Sequence, residues 1–331
     1  MPVHIVERLQ KMNRAERTLW TQFGREPTLE EIADEASLPL QTGLTRTPAD
    51  ASRKMKRPNG RSAFAQTLCG IAGYSLDPQS RVERTLAARA LLAGIAERGA
   101  DAVGYAYRSP GSPIAVHKQR SGATALLERI RVPEDATKLL VHVRDYTKGH
   151  PSLSANNHPI RHGSVVGIHN GIIENDDELF AEHRIPRAEP EMTVDSEIIF
   201  ALAERSRGHT AEALQQLYGS MAAAWLDEGR SELLLAHGMG RPLWLGQRKH
   251  ELFFASTRVA LELVESYAGI KLRKNELPDG TVVAVEHGRV VARDKFTPDL
   301  SFQEEPLPAV RAPDEARSCL ERLATLHAVA A

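Results

Sequence analysis

Cys69 opens the run Cys69-Gly70-Ile71-Ala72-Gly73-Tyr74, an apolar, glycine-punctuated stretch with strand character. A free cysteine has a pKa of about 8.5 and is only a few per cent thiolate at pH 7, so it needs a base to become a nucleophile. A cysteine that is the first residue of its chain carries one. Its own α-amino group, with a pKa of roughly 7.7–8.0, activates it as an N-terminal amine activates a threonine. Leu68 precedes Cys69 here, so this chemistry demands cleavage of the Leu68–Cys69 bond. Taken alone, a cysteine at a strand start is more often packing than catalysis.

Further polar stretches each follow an apolar run or open a helix. His142-Val143-Arg144-Asp145-Tyr146-Thr147-Lys148-Gly149-His150-Pro151-Ser152 and then Asn156-Asn157-His158-Pro159 lie beyond the apolar residues 139–141. His169-Asn170-Gly171-Ile172-Ile173-Glu174-Asn175 follows residues 165–168, and Thr193-Val194-Asp195-Ser196-Glu197 opens a helix. In isolation Asn170-Gly171 reads as a hairpin turn. Arg144 and Asp195 alone read as surface charges, and His142, His158 and His169 as hydrogen-bonded structural histidines with no part in catalysis or metal binding.

Together, and in this order, the stretches resemble the class II glutamine amidotransferase domain, most of all the glutaminase domain of the glucosamine-fructose-6-phosphate synthase family. The resemblance runs from Cys69 to about Arg293 and includes the turn Arg98-Gly99-x-Asp101-x-x-Gly104. It implies the residue roles. Cys69 is the nucleophile; Arg144 grips the α-carboxylate of glutamine, where a planar fork suits two oxygens. Asp195 pairs with the α-ammonium, and Thr147 and Gly171 complete the substrate-binding set. Asn170 and the backbone N–H of Gly171 face the oxyanion of the tetrahedral intermediate, a donor pair whose partial loss costs about 3–4 kcal/mol in such sites. Glycine suits that position because it lets backbone approach substrate closely. The implied reaction needs no cofactor and no metal. Two positions depart from the pattern: Asp145 stands where the family has Trp, and Lys148 where it has His. They add one charge of each sign to the loop bordering the glutamine site.

The elements that must position these groups alternate behind Cys69. Periodicity predicts helices over 80–97 and 195–204 and short strands over 102–107, 113–118, 139–143, 165–169, 220–226, 232–237, 252–255 and 281–286. Helices covering two packed sheets are one permitted layering. The resemblance makes it specific: an α+β chain whose four-layer αββα N-terminal-nucleophile hydrolase domain is preceded by a small all-α module. The expected domains are a helical module at 1–45, a basic flexible linker at 46–68, the amidotransferase domain at 69–297, and a Pro-rich tail with a C-terminal helix at 298–331.

The helical module has its own signature. Ile5, Val6, Leu9, Met12, Leu19, Trp20 and Phe23 share a helical face, and Thr28-Leu29-Glu30-Glu31 has the form of a capping box. Residues 2–7, 13–14 and 24–33 resemble region 3 of the primary bacterial sigma factors. That family approaches DNA upstream of the −10 element through residues matching His4 and Glu7. The regions that melt and read promoters have no counterpart, so independent promoter recognition is not expected. The linker carries Arg46, Arg53, Lys54, Lys56, Arg57 and Arg61 against Asp50. Contact with RNA polymerase or promoter DNA through residues 1–61 is the partner this segment implies, and its binding would be salt-dependent. The plainer reading, a solvated linker, is favoured.

Composition bounds the rest. With 331 residues, 42% hydrophobic, 26% charged and a formal net charge of −1, the chain can build a core and has no bulk polyelectrolyte character. No apolar run reaches the ~18–20 residues of a membrane span, and no secretory h-region opens the chain. The two cysteines, Cys69 and Cys319, fit a cytoplasmic protein, with Cys319 inert. A sugar-phosphate isomerase domain follows in glucosamine synthase and none is expected from these 331 residues, so the expectation is that amination would need a partner synthase to accept the ammonia. Three readings stay open: a glutaminase supplying such a synthase, a weakly catalytic or non-catalytic amidotransferase-like protein tethered to RNA polymerase or DNA, and a recombined frame whose leader blocks activity.

Overall fold

The computed structural model describes residues 69–303 and 312–330, together with Glu35. The expected helical module at 1–45, His4, Glu7 and the linker at 46–68 therefore lie outside the described residues, Glu35 excepted. Residues 69–303 and 312–330 fall in one compact unit.

Two antiparallel sheets form its centre. The first has seven strands in the order β11-β9-β10-β1-β4-β2-β3. In chain order these are β1 (Gly70–Leu76), β2 (Ala102–Arg108), β3 (Ala115–Gln119), β4 (Lys138–Arg144), β9 (Trp244–Gln247), β10 (Glu251–Ala255) and β11 (Arg273–Glu276). The second has six strands in the order β13-β12-β8-β7-β6-β5. These are β5 (Ile160–His162), β6 (Val165–Ile173), β7 (Gly219–Asp227), β8 (Leu233–His237), β12 (Thr281–Glu286) and β13 (Arg289–Lys295).

Alternation along the strands sorts their side chains into three cores, because successive residues of a strand point to opposite faces. Ala72, Tyr74, Leu139, Val141 and Val143 enter an outer core. Their alternates Ile71 and Leu140 meet Val166, Ile168, Ala222, Leu233 and Val283 in the core between the sheets. On the far face Met221, Ala223, Trp225, Leu234 and Val282 enter a third core. Gly73 fits only because it has no side chain: a Cβ there would lie 2.0 Å from the Leu139 carbonyl oxygen and 2.6 Å from the Phe254 ring.

Helices supply the outer layers. α1 (Arg84–Ile95), α2 (Ala123–Leu127), α6 (Arg258–Ala268) and α7 (Pro313–Ala330) cover the first sheet, and α3 (Asp176–His183), α4 (Glu197–Arg205) and α5 (Thr210–Leu214) cover the second. This is the four-layer αββα arrangement. α1 starts four residues later than its periodicity predicts. Glu83 caps it by accepting from the Thr85 N–H at 2.9 Å, while buried Ser80 lies before the helix and donates to Glu251 at 2.9 Å. α7 inserts fully buried Cys319 and Leu323 into the outer core, and its Glu315 accepts from the backbone N–H and hydroxyl of Thr124, both at 2.8 Å. Among the described residues, no helix is long and apolar enough to cross a membrane.

Candidate active site

Cys69 sits at the N-terminal end of β1, where register aligns Gly70 with Val143 and so sets Cys69 beside Arg144 at the end of β4. Its Sγ donates to the Asp145 carbonyl oxygen at 3.3 Å. Burial pushes the Cys69 thiol up to about 12, and the nearby Arg144 guanidinium opposes that rise. In this environment the thiol is held protonated.

The Arg98-Gly99-x-Asp101 turn explains why β4 ends where it does. The Asp101 N–H donates to the Arg144 carbonyl oxygen at 3.1 Å, and Asp101 Oδ2 accepts from the Tyr146 N–H at 3.1 Å. A Cβ on Gly99 would stand 2.4 Å from the Arg144 carbonyl oxygen, so only glycine lets this turn lie against the strand end.

Arg144 is almost wholly buried, and burial lowers its pKa. Its guanidinium donates to Asn157 Oδ1 at 2.6 Å and to the carbonyl oxygens of Lys148, at 2.9 Å, and Gly149. Those bonds fix the plane of the fork and leave N–H groups for an incoming anion. Asn157 holds the Arg144 fork, a contact that its place in the sequence does not indicate. Its neighbour Asn156 accepts from the N–H groups of Thr193, at 2.9 Å, and Val194, at 3.2 Å. One Asn-Asn pair thus braces the cation Arg144 and the segment that leads to Asp195.

The second sheet brings the remaining groups. β6 packs against β1 and β4. Asn170 and Gly171 lie within it, paired with Ala222 and Met221, so the Asn-Gly pair is a strand segment and not a hairpin turn. Gly171 has φ +151°, and a Cβ would meet the Ser220 carbonyl oxygen at 1.9 Å. Asn170 is fully buried, yet its Oδ1 and Nδ2 have no hydrogen-bond partner among the described residues. A buried amide with both ends unsatisfied costs free energy and calls for an explanation; a polar ligand supplies one.

Asp195 precedes α4 and accepts from the Ile173 N–H at 2.8 Å, which ties it to the end of β6. Burial raises its carboxyl to about 6, against the lowering pull of that N–H and of Arg144. Both Arg144 and Asp195 are near enough to Cys69 to act on its charge. Cys69, Arg144 and Asp195 are therefore brought together from three elements; Thr147 stands exposed on the loop after β4.

His142 and His169 are buried, and burial lowers each to about 3, so both are neutral. His142 Nε2 bonds the His169 carbonyl oxygen at 3.0 Å across the sheets, and His169 Nδ1 bonds Ser196 Oγ at 2.8 Å. They are structural groups that hold the backbone just before Asn170. His158 differs from the expected hydrogen-bonded histidine: it stacks on His142 at 4.1 Å, and neither ring nitrogen has a partner among the described residues.

The charge at Lys148 is absorbed locally. Its Nζ lies 2.7 Å from buried Asp176 and 2.8 Å from Asp177, and Arg187 bonds the same two carboxylates at 2.8 and 2.6 Å. The loop bordering Cys69 is thereby fastened to the first turn of α3. Sequence spacing gave no sign of this pairing, which joins residues 28 apart. Among the described residues no group of three or more His, Cys, Asp or Glu side chains could hold a metal ion.

Known proteins resemble parts of this chain. Residues 145–263 match the glutamine amidotransferase domain family, and residues 7–42 match sigma-70 region 3. The glutamine–fructose-6-phosphate aminotransferase (isomerizing) of Caulobacter vibrioides is 30% identical over 230 residues, which cover 66% of this chain and 36% of that protein. The corresponding enzyme of Chlamydia muridarum is 28% identical over 264 residues, covering 77% of this chain and 41% of that protein. The chain thus spans about two fifths or less of the length of these relatives. Among solved structures, the glutamine phosphoribosylpyrophosphate amidotransferase of B. subtilis superposes with a TM-score of 0.56 at 19% identity, over 69% of this chain and 49% of that one.

Proposed function

We propose that this chain, which carries a class II glutamine amidotransferase domain of the N-terminal-nucleophile type behind a sigma-70 region 3 segment, hydrolyses L-glutamine to glutamate and ammonia once Cys69 is exposed as an N-terminal residue. The observation that carries the reading is the meeting of the Cys69 thiol with one buried cation, Arg144, and one buried carboxyl, Asp195. A free α-amino acid carries the opposite pair of charges.

Glutamine would dock with its α-carboxylate on Arg144 and its α-ammonium on Asp195, with Thr147 and Gly171 lining the site. The free α-amine of Cys69 takes the thiol proton, and the thiolate attacks the side-chain amide carbon. Asn170 Nδ2 and the Gly171 N–H would donate to the oxyanion, which gives the unpartnered Asn170 amide its ligand. The protonated α-amine then delivers its proton to the leaving nitrogen, ammonia departs, and a thioester remains. Water hydrolyses the thioester to glutamate and restores the thiol. In this scheme the ammonia passes to an acceptor or to a partner synthase.

Intact mass and N-terminal sequencing of the purified protein, with glutamate release measured alongside, tests the scheme. A chain that begins at Cys69 and turns over glutamine, with turnover abolished by Cys69→Ala, supports it; an unprocessed chain that hydrolyses glutamine equally well overturns it. The sigma-70 region 3 match favours a second reading, a tether to RNA polymerase. Retention of the full chain on core RNA polymerase, lost on deleting residues 1–46, is the result this tether requires.

A further inference from the structure

The far end of the sandwich carries a second concave feature. Register pairs Leu76 with Glu251 and Ala72 with Ala255, so the β9–β10 turn lies a strand length, roughly 20 Å, from Cys69. Between that turn, the start of β11 and the β12–β13 turn opens a cleft of about 510 Å³ whose lining includes Arg248, Lys249, Arg273 and Arg289.

Its walls are fixed by backbone. Gly288 has φ +71°, and a Cβ there would stand 2.5 Å from the His250 carbonyl group, so the hairpin of the second sheet rests directly on the turn of the first. Arg289 Nε donates to the Lys249 carbonyl oxygen at 3.4 Å, and the Gly288 N–H to Ser75 Oγ at 3.4 Å. Arg273 sits opposite Gln247 in the β9–β11 ladder and donates to its side chain at 3.2 Å.

The four cations are exposed, and none forms a salt bridge among the described residues. Acids lie nearby, of which Glu286 stands opposite Arg289 in the β12–β13 ladder. Glu251 accepts from Ser80 Oγ at 2.9 Å, Asp77 lies 3.9 Å from His250, and Glu286 lies 3.9 Å from His287. Cations gathered in one rigid cleft repel each other until an anion enters, and arginine forks match phosphate oxygens in pairs. The cleft is broad and open to solvent, so recognition there rests on charge and on the arginine forks.

We propose that this cleft binds a small molecule bearing two or more phosphate groups, at a site separate from the glutamine centre. The proposal does not depend on the glutaminase reading. Titration calorimetry of the full chain with inorganic pyrophosphate, sulfate and a duplex oligonucleotide tests it. Pyrophosphate should bind at least about tenfold more tightly than sulfate, and an Arg273→Ala/Arg289→Ala variant should lose at least about tenfold of that affinity with an unchanged melting temperature. Both side chains are exposed, so folding should survive the substitutions. Pyrophosphate binding that persists in the variant, absence of pyrophosphate binding, or tighter binding of the duplex through the same two residues would each overturn it.

Discussion

Burial raises the Asp195 carboxyl to about 6, so the ligand-free fold holds that proton more tightly than the unfolded chain does. Stability conferred by the protonated form is complete below the unfolded value and is lost as pH rises through about 6. Asp195→Asn removes the buried charge. The variant should therefore gain about 2–3 kcal/mol over the parent at pH 7.5 and show almost no gain at pH 3.5, as read by thermal or urea unfolding. Equal gains at both pH values would show that the carboxyl does not ionise under strain. If the ionised form receives the glutamine ammonium, affinity for glutamine in the Cys69→Ala protein should fall about tenfold per pH unit below about 6. A flat calorimetric profile from pH 7 to 4.5 would remove Asp195 from that role.

The strands and loops around the site hold these groups by close backbone approach. Gly171→Ala would press a Cβ against the Ser220 carbonyl oxygen, now 1.9 Å from that position, inside the β6–β7 ladder. Overpacking of this kind costs about 1–3 kcal/mol, and because it displaces the Gly171 N–H, glutamate release should fall by more than the lost stability accounts for. Lys148→Ala acts on the loop instead. Arg187 stays on Asp176 and Lys148 is partly exposed, so the loss should be about 1 kcal/mol, well under the 3–5 kcal/mol of an orphaned buried charge. Its kinetic signature should be a raised KM with kcat within about threefold, since the loop that carries Arg144's carbonyl partners is loosened. A fall in kcat alone would assign Lys148 elsewhere.

At the scale of the whole molecule, the outer core depends on a helix distant in sequence. Leu323 and Cys319 are fully buried on α7, and the Ala312 N–H reaches the Glu97 carbonyl oxygen at 2.9 Å. Leu323→Ala should cost about 2–5 kcal/mol, measured by urea unfolding. Burial pushes the Cys319 thiol up to about 11, so a thiol reagent at pH 8 should reach it only with global unfolding. Rapid labelling of Cys319 in the folded protein would mean that α7 detaches.

Cys69, Arg144, Asp195 and the Asn170-Gly171 pair stand out in the sequence only through their resemblance to a family pattern; by residue type alone Cys69 reads as packing, the two charges as surface groups and the Asn-Gly pair as a turn. Most of the strands were legible through alternation that fills the cores. β5, β9, β11 and β13 were not: β5, β11 and β13 are edge strands, short or largely polar, and β9, though interior, is only four residues long, so the ladder of a neighbour defines them more than any apolar pattern of their own. Nor did spacing reveal Asn157 on Arg144 or Lys148 on Asp176, since both bonds span loops whose path is set by the packed sheets. What the sequence determined by itself was which residue types stand beside which apolar runs. Tertiary structure decided their electrostatics: burial and approach across two sheets set the Cys69 thiol at about 12 and the Asp195 carboxyl at about 6, and desolvation belongs to the assembled fold and not to any residue alone.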